Sequence, residues 1–204
     1  MYSPTPGCKF AIVEIVGAGG GGGGCWLADT TGASAGGGGG SGGYSVVFIA
    51  NPVATAVTIG LGGAQGLVAM NTTPPDGSPG GDTSFGTLAI AKGGFGGLST
   101  AWAVAIGTSD TACTDGGGGA PAGTGDIAVP GNAGYRGQQL SRNGSPGNGA
   151  PSKHGSGGYR SRGVAGTLMN PTFGGGGIGN YRANNTTTPG TDGANGLCIV
   201  WEYF

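Results

Sequence analysis

Few side chains in this sequence could carry acid–base or nucleophilic chemistry, and they form no recognisable catalytic group. His154 is the single histidine and stands between Lys153 and Gly155. It could formally belong to a Ser-His-Asp site, but a histidine in such a loop is more often exposed to solvent or to a ligand. A pair of catalytic carboxylates would have to come from Glu14, Glu202 and seven aspartates. Both glutamates lie in strand-like runs and the aspartates are scattered in loops. The sequence therefore predicts no catalytic residues and no enzyme.

Phosphate, nucleic-acid and metal sites are not indicated either. Each lysine follows a residue other than glycine, so the Gly-Lys-Ser/Thr end of a phosphate-binding loop does not occur. A net charge of −1 leaves no basic footprint on the chain as a whole. Cys8, Cys25, Cys113 and Cys198 have no Cys-x-x-Cys spacing. We expect no cofactor, no metal and no nucleic-acid partner, and we favour mostly buried free thiols over two disulfides.

Charge is unevenly distributed along the chain, and this is the strongest sign of a binding surface. Residues 1–126 hold two lysines and seven acids, whereas residues 127–191 hold six basic residues and no acid. Three of these arginines directly follow a tyrosine, and tyrosine with arginine suits recognition of phosphate or carboxylate. A solubilising surface is an equally weighted alternative. The candidate binding residues are Tyr135, Arg136, Arg142, His154, Tyr159, Arg160, Arg162, Tyr181 and Arg182, with Trp26 and Trp102 as further sugar-stacking or core positions.

The composition excludes several classes of protein. Glycine supplies 54 of 204 residues, and charged residues are only 8%. The glycines occur in runs and not at every third position, which excludes collagen. Glycine also costs roughly 1 kcal/mol per helical position, which excludes a helical bundle. The apolar stretches are too short for a membrane-spanning helix, so no membrane insertion is expected. Disorder is disfavoured because 36% of the residues are hydrophobic and the chain has little charge to keep it soluble unfolded.

The apolar residues group into runs typical of short strands. The sequence predicts strands over Lys9–Val16, Tyr44–Ala50, Pro52–Leu61, Phe85–Lys92 and Leu197–Phe204, and a weaker one over Ala101–Ile106. The second and third runs are predicted to form a hairpin around Asn51-Pro52. The first and last strands are predicted to pair. These elements suffice for a small β-sandwich with almost no α-helix, within one domain over residues 1–204.

Glycine runs fill most of the remaining chain, and they admit two interpretations. They recur at 19–24, 36–43, 93–97, 116–119 and 174–177. Flexible linkers in such number would lose a great deal of conformational entropy on folding. Alternatively, each run forms a polyproline-II-like helix with three residues per turn, whose backbone groups bond to neighbouring runs because no Cβ intervenes. We favour a bundle of polyglycine-II helices, inserted in the sandwich and joined by long irregular loops.

This order of elements resembles a known group of viral proteins. The strand leading into glycine at Ile12–Gly24, the segment Gly36–Gly63, the Asp82–Gly86 sequence, Gly174–Gly177 and the final Val200-Trp201-Glu202 are similar to the glycine-rich C-terminal domains of bacteriophage tail fibres. The tail-tip adhesin of some T-even-like phages has related architecture. The resemblance implies stacked polyglycine helices whose variable loops touch a bacterial receptor. The glycine-rich extracellular region of the anaplastic lymphoma kinase family has a comparable combination of β-sandwich and polyglycine helices.

The resemblance and the charge pattern together indicate a binding module. We expect a phage tail-fibre tip or adhesin that binds a bacterial surface receptor, a glycan or an outer-membrane component. The expected location is the virion, after assembly in the host cytoplasm. Other fibre or tail proteins are expected partners, and a homotrimer is a further hypothesis. The alternative is a structural virion protein, a decoration or fibre cap without a receptor role. An ice-binding protein is a weaker third alternative because the glycine runs are irregular.

Overall fold

The computed structural model describes residues 1–27, 32–70, 72–100, 104–105, 111–140, 143–160, 168–183 and 186–204. These residues form eighteen short strands and no helix, as the predicted mainly β fold requires. In chain order the strands are β1 (Phe10–Val16), β2 (Trp26–Leu27), β3 (Gly32–Ala35), β4 (Tyr44–Ala50), β5 (Val57–Thr58), β6 (Ala69–Met70), β7 (Thr83–Phe85), β8 (Ala89–Ala91), β9 (Val104–Ala105), β10 (Thr111–Thr114), β11 (Ile127–Val129), β12 (Gly137–Leu140), β13 (Asn143–Ser145), β14 (Tyr159–Arg160), β15 (Leu168–Met169), β16 (Tyr181–Ala183), β17 (Thr186–Thr188) and β18 (Leu197–Tyr203).

Two small sheets face each other and form the predicted sandwich. One sheet has the strand order β11-β4-β1-β18, and the other has the order β5-β7-β8. Side chains of a strand alternate between its two faces, so β1 turns Val13 and Ile15 inward. These two side chains pack with Val47 of β4 and with Phe85 of the smaller sheet, and all four are 7% exposed or less. This cluster is the hydrophobic core of the sandwich.

Three of the predicted strands are confirmed. Phe10–Val16, Tyr44–Ala50 and Leu197–Tyr203 are strands of the larger sheet. The predicted pairing of the chain ends is also confirmed, because β1 and β18 are antiparallel neighbours over their full length. The first and last segments therefore fold together at one place.

The other strand predictions need correction. Residues 52–61 form no hairpin with β4; only Val57 and Thr58 are in a strand, and that strand pairs with β7. The side chains of Val53 and Leu61 are 70% and 73% exposed, so the alternating pattern marks no buried face. Residues 85–92 are not one strand, because Gly86 has φ of +53° in the turn between β7 and β8. Of residues 101–106, only Val104–Ala105 lies within the described residues, and it is β9.

Ten extended segments run side by side away from the sandwich and back. We call them rods 1 to 10, and none of their residues has a positive φ. In chain order they are residues 17–25, 36–43, 59–68, 74–82, 92–100, 115–121, 130–136, 146–151, 175–180 and 189–196. Two shorter segments, 156–158 and 170–172, lie beside rod 9. The rods are neither helix nor strand, so their backbone groups need partners outside their own segment.

The hydrogen bonds between rods repeat every three residues. In rod 1, the N–H groups of Gly17, Gly20 and Gly23 all donate to rod 2, at N···O distances of 2.8–2.9 Å. The N–H groups of residues 18, 21 and 24 donate to rod 4, and those of residues 19 and 22 donate to rod 10. Three residues per turn without internal bonds is the geometry of the polyproline-II helix. The glycine runs are therefore polyglycine-II helices and not flexible linkers.

Rods 1 and 2 are each surrounded by six other rods. Rod 1 donates to rods 2, 4 and 10, and its carbonyl groups accept from rods 3, 5 and 9. Rod 2 donates to rods 5, 7 and 9 and accepts from rods 1, 6 and 8. The two longest glycine runs, Gly19–Gly24 and Gly36–Gly40, lie in these central rods. Rod 10, at the edge of the bundle, has glycine on its inward face, at Gly190, Gly193 and Gly196.

Backbone contacts explain why side chains are excluded from the central rods. A Cβ atom built on Gly39 of rod 2 would lie 2.1 Å from the carbonyl oxygen of Gly20. Along rod 1, Gly19 to Gly23 would each place a Cβ within 2.1 Å of a carbonyl oxygen in another rod. Such contacts require the neighbouring backbone to move and its hydrogen bonds to break. Glycine is required here by close packing of backbones.

We expect Gly39→Ala to destabilise the protein by about 3 kcal/mol or more, because overpacking and unsatisfied backbone groups add. The matched control is Gly118→Ala in rod 6, where the nearest atom to the new Cβ is the flexible Phe95 ring at 3.3 Å. The control is expected to stay within about 1 kcal/mol of wild type. Denaturant unfolding measures both changes. Equal stability of the two variants would contradict the packed-rod interpretation.

Candidate functional site

The rods bring most of the short strands together at the end opposite the sandwich. Rod 1 leads from β1 to β2, away from the sandwich, and rod 2 returns from β3 to β4. The later segments run alternately away from the sandwich and back to it. At the far end β3 pairs with β9 and β16, β2 pairs with β6, and β12 and β13 pack against β3. We call this region, with β2, β3, β6, β9, β10 and β12–β17, the loop end. The opposite region is the sandwich end.

The first Tyr-Arg pair is exposed at the last turn of rod 7. The side chain of Tyr135 is 61% exposed. The Nε atom of Arg136 lies 2.7 Å from a carboxylate oxygen of Asp115, and both side chains are more than half exposed. The N–H of Tyr135 donates to Asn148, and its carbonyl oxygen accepts from Gly38, so the backbone is held by two neighbouring rods. Arg136 is therefore already paired with Asp115, an acid that lies outside the acid-free residues 127–191.

The second pair, Tyr159-Arg160, forms β14 beside β15. Tyr159 is 44% exposed, and Arg160 is half-buried. The Nε atom of Arg160 is buried and has no hydrogen-bond partner among the described residues. Gly158, which precedes β14, donates to Gly176 of rod 9, so the pair starts from a fixed backbone. Tyr159 is therefore at the surface, and Arg160 is accessible in part.

The third pair differs, because Arg182 is inside the molecule. Arg182 in β16 is 5% exposed, and Tyr181 is half-buried. Burial raises the pKa of the Cys25 thiol to about 12, and the positive charge of Arg182 offsets part of this rise. The prediction that Arg182 contacts a ligand therefore needs correction, because its side chain is buried in the sheet of order β17-β16-β3-β9. The period-two alternation along β16 turns Arg182 inward, whereas the neighbouring Tyr181 is half-buried.

Of the tryptophans and the remaining arginines among the candidates, the structure describes Trp26 alone. Trp26 is half-buried in β2, and its Nε1 atom is buried without a hydrogen-bond partner among the described residues. Its backbone N–H donates to the hydroxyl of buried Ser34. Trp102, Arg142 and Arg162 lie outside the described residues. The candidate residues that share the loop-end surface are thus Tyr135, Arg136, Tyr159 and Arg160.

His154 lies at the other end of the molecule. It follows rod 8 in a turn against the larger sheet, where its Nε2 atom is 3.1 Å from a carboxylate oxygen of Glu14. Its ring contacts the Tyr44 ring edge-on at a centroid distance of 5.7 Å. The grouping of His154 with the Tyr-Arg pairs is therefore wrong, because the turn after rod 8 returns the chain to the sandwich.

Glu14 is the centre of a polar cluster on the outer sheet face. Its carboxylate accepts from the Tyr44 hydroxyl at 2.7 Å and from the Trp201 ring nitrogen at 3.1 Å. The hydrogen bond from Tyr44 is the main cause that lowers the pKa of Glu14. Burial, followed by the bond to Glu14, raises the pKa of Tyr44 to about 12. This cluster joins β1, β4 and β18 and the turn that holds His154.

Every carboxylate within the described ranges is engaged by the fold. Four of the aspartates accept a backbone N–H: Asp76 from Ser99, Asp82 from Gly93, Asp126 from Phe48 and Asp192 from Gln65. Asp115 pairs with Arg136, and Glu202 accepts from the Tyr2 hydroxyl. In the described ranges no group of histidine, cysteine and acid residues could hold a metal ion. The acids complete the hydrogen bonding of edge rods and strands.

Ser34 and Ser41 each stand in a Gly-x-Ser-x-Gly sequence. In α/β-hydrolases this sequence forms the nucleophile elbow, a sharp turn from a strand into a helix. Ser34 and Ser41 are both 0% exposed. Their hydroxyl oxygens accept the backbone N–H groups of Trp26 and Asn132. Each serine leads into or lies within rod 2, so no helix follows. Their hydroxyls are structural acceptors between rods.

The four cysteines are unpaired, as favoured from their spacing. Cys25 is buried, Cys8 and Cys198 are half-buried, and Cys113 in β10 is exposed. The expectation of mostly buried thiols therefore fails for Cys113, because β10 lies at the surface of the loop end. Within the described part of the chain, no helix could cross a membrane.

The sequence model of a protein family described as a glycine-rich domain matches residues 1–202. The chain belongs to this glycine-rich domain family. The match includes the sandwich, all ten rods and the loop end. The comparison with curated proteins found no match.

The sequence analysis did not predict a polar groove that lies beside rods 3 and 10 of this glycine-rich domain. One signal for it was present: Thr191 and Asp192 stand between the inward-facing Gly190 and Gly193, which leaves polar groups on the outer side of rod 10.

The Glu14 cluster predicts loss of stability in acid. The pKa of Glu14 is lower in the folded state than the unfolded value of 4.5, so its contribution is present above 4.5 and is lost as pH falls through the folded-state pKa. We expect Glu14→Gln to reduce the acid-dependent fall in melting temperature, and Tyr44→Phe to reduce it in part. Thermal melts from pH 7 to pH 3 test this. Melting curves of Glu14→Gln that follow wild type at every pH would exclude the contribution.

Proposed function

We propose that this glycine-rich domain is a receptor-binding module of a bacteriophage, a tail-fibre tip or adhesin that attaches the virion to a host cell. The proposal rests on one observation. The rods bring each connection that leads away from the sandwich to the same end of a bundle held by backbone hydrogen bonds. Binding residues concentrate in loops on rigid scaffolds, because loops can vary without disturbing the core. A bundle that admits few side chains inside and many at one end suits this task.

The chemistry of the loop end supports a glycan or an outer-membrane component as the receptor. Tyr135 and Tyr159 expose large ring surfaces, which bind at low entropic cost because tyrosine has two side-chain torsions. Arg136 and Arg160 add donors for hydroxyl, carboxylate or phosphate oxygens. The engaged carboxylates favour binding without a reaction or a cofactor. We therefore propose an adhesin and not a depolymerase.

The sandwich end supports attachment to other virion proteins. Its outer sheet face exposes Phe10, Phe48, Trp201 and Tyr203, with the Phe10 and Tyr203 rings stacked at 4.4 Å. Exposed apolar surface of this kind marks contacts with other proteins. We propose that this face holds the module against fibre or tail proteins, as a single copy or as a homotrimer, so that the loop end points toward the cell. Its location would be the virion, after assembly in the host cytoplasm.

The same apolar face favours a second candidate function. A structural virion protein, such as a decoration or fibre cap, would use this face for assembly and would need no ligand at the loop end. The two functions differ in whether the purified domain binds host cells by itself.

Cell attachment by labelled protein tests the proposed function. We expect wild type to bind host cells saturably and with strain dependence, and the double variant Tyr135→Ser/Tyr159→Ser to bind at least tenfold more weakly at unchanged melting temperature. The control Tyr203→Ser/Phe204→Ser removes two rings of similar exposure, 41% and 66% against 44% and 61%, from the sandwich end. This control is expected to bind cells normally. Wild-type protein that binds no strain in a host panel would favour the structural function.

A further inference from the structure

A polar groove lies on the side of the bundle, next to the loop end. It has a volume of about 390 Å³, within the range of roughly 300–1,000 Å³ found for ligand pockets. Its walls are rod 3, the start of rod 10 and residues 168–171. Leu168 belongs to β15, and rod 10 begins directly after β17, so the groove continues the loop-end surface. None of the Tyr-Arg pairs lines it.

The groove holds polar groups that the fold leaves partly unused. The side-chain Oε1 atom of Gln65 is buried and has no hydrogen-bond partner among the described residues. Gln65 nevertheless lines the groove, and its side-chain amide nitrogen is a donor. Thr191 accepts the N–H of Ile178 through its hydroxyl oxygen, which leaves the hydroxyl hydrogen for another acceptor. The exposed amide of Asn170 supplies both a donor and an acceptor.

The charge of the groove selects against anions. Among the described lining residues Asp192 is the only charged one, and one of its carboxylate oxygens accepts the backbone N–H of Gln65 at 2.8 Å. The other carboxylate oxygen remains an acceptor. Because none of the described lining residues is basic, they would repel a carboxylate or phosphate group. This lining favours an uncharged ligand that presents several donors.

The combination of groups matches the hydroxyls of a sugar ring. Vicinal hydroxyls both donate and accept, which suits the acceptors of Asp192 and Asn170 and the donors of Gln65, Asn170 and Thr191. Leu168 and Pro171 supply apolar wall for the C–H faces of the ring. A site built to hydrogen-bond hydroxyl groups rejects ligands that lack them. We propose that this groove binds an uncharged hexose unit of a glycan, a proposal that rests on the receptor-binding function and names its ligand class.

Binding of free sugars to the whole domain tests the groove. The probes are D-glucose, D-galactose and N-acetyl-D-glucosamine, with D-glucuronate as the anionic counterpart, measured by saturation-transfer NMR and calorimetry. We expect at least one uncharged sugar to bind and D-glucuronate to bind at least tenfold more weakly. Asp192→Asn, which retains an oxygen acceptor for the Gln65 N–H, is expected to reduce this discrimination. Absence of binding by every uncharged sugar at 50 mM would overturn the proposal.

Variants locate the binding. Asn170→Leu and Gln65→Leu are expected to weaken sugar binding at least tenfold. Asn170 is exposed, so this variant should fold normally even where Gln65→Leu does not. Gln138→Leu makes the same type of change at an exposed position of β12 outside the groove and should bind like wild type. Equal binding by Asn170→Leu and wild type would contradict the assignment.

The sugar assay separates this inference from the proposed function. Cell attachment without binding of any uncharged sugar would overturn the groove proposal and leave the receptor-binding function intact. Sugar binding that Asn170→Leu abolishes, together with no attachment to any strain, would support the groove and overturn the receptor-binding function.

Discussion

The hydrogen bond between a glycine N–H in one rod and a carbonyl oxygen in the next is the interaction on which this structure depends. A polyproline-II helix satisfies none of its own backbone groups, so each rod is stable only within the bundle. Each bond contributes a net stabilisation of only about 0.5–1.5 kcal/mol, but the bonds repeat along every rod and in three directions. Close approach of the rods requires glycine, as the contact between the Gly39 and Gly20 positions shows. The glycine content follows from this geometry.

The same constraint decides where chemistry can occur. Rods 1 and 2 consist almost entirely of glycine, with only the small residues Ala18, Cys25 and Ser41 among them, because other rods surround them on all six sides. Edge rods admit side chains on their outward faces, and there aspartates and asparagines complete unpaired N–H groups, as Asp192 does for Gln65. Free polar and aromatic groups remain at the loop end, in the groove and on the outer sheet face. A binding protein built on this bundle must therefore act through its ends and edges.

Much of the fold was predictable from the sequence, because composition and strand pattern act locally. β-branched runs marked β1, β4 and β18, and the glycine runs marked the rods. The strand predicted over residues 52–61 was wrong. The alternation of Val and Thr is typical of a strand, but Gly60 and Gly63 pack against other backbones as part of rod 3. The binding residues were less predictable. Only the register of β16 shows that Arg182 is enclosed, and only the path of rod 8 places His154 beside Glu14. Both depend on contacts between residues far apart in the chain.

Hydrogen exchange at individual glycine amides tests the rod bundle most directly. In a ¹⁵N-glycine-labelled sample, the amides of Gly20, Gly23 and Gly39, which donate from the central rods to neighbouring rods, are expected to exchange only through global unfolding. The amide of the exposed Gly118 in rod 6 serves as a fast-exchanging internal control. Slow, nearly uniform exchange of the three central amides is the result that the packed bundle predicts. Exchange of those amides as fast as that of Gly118 would contradict it.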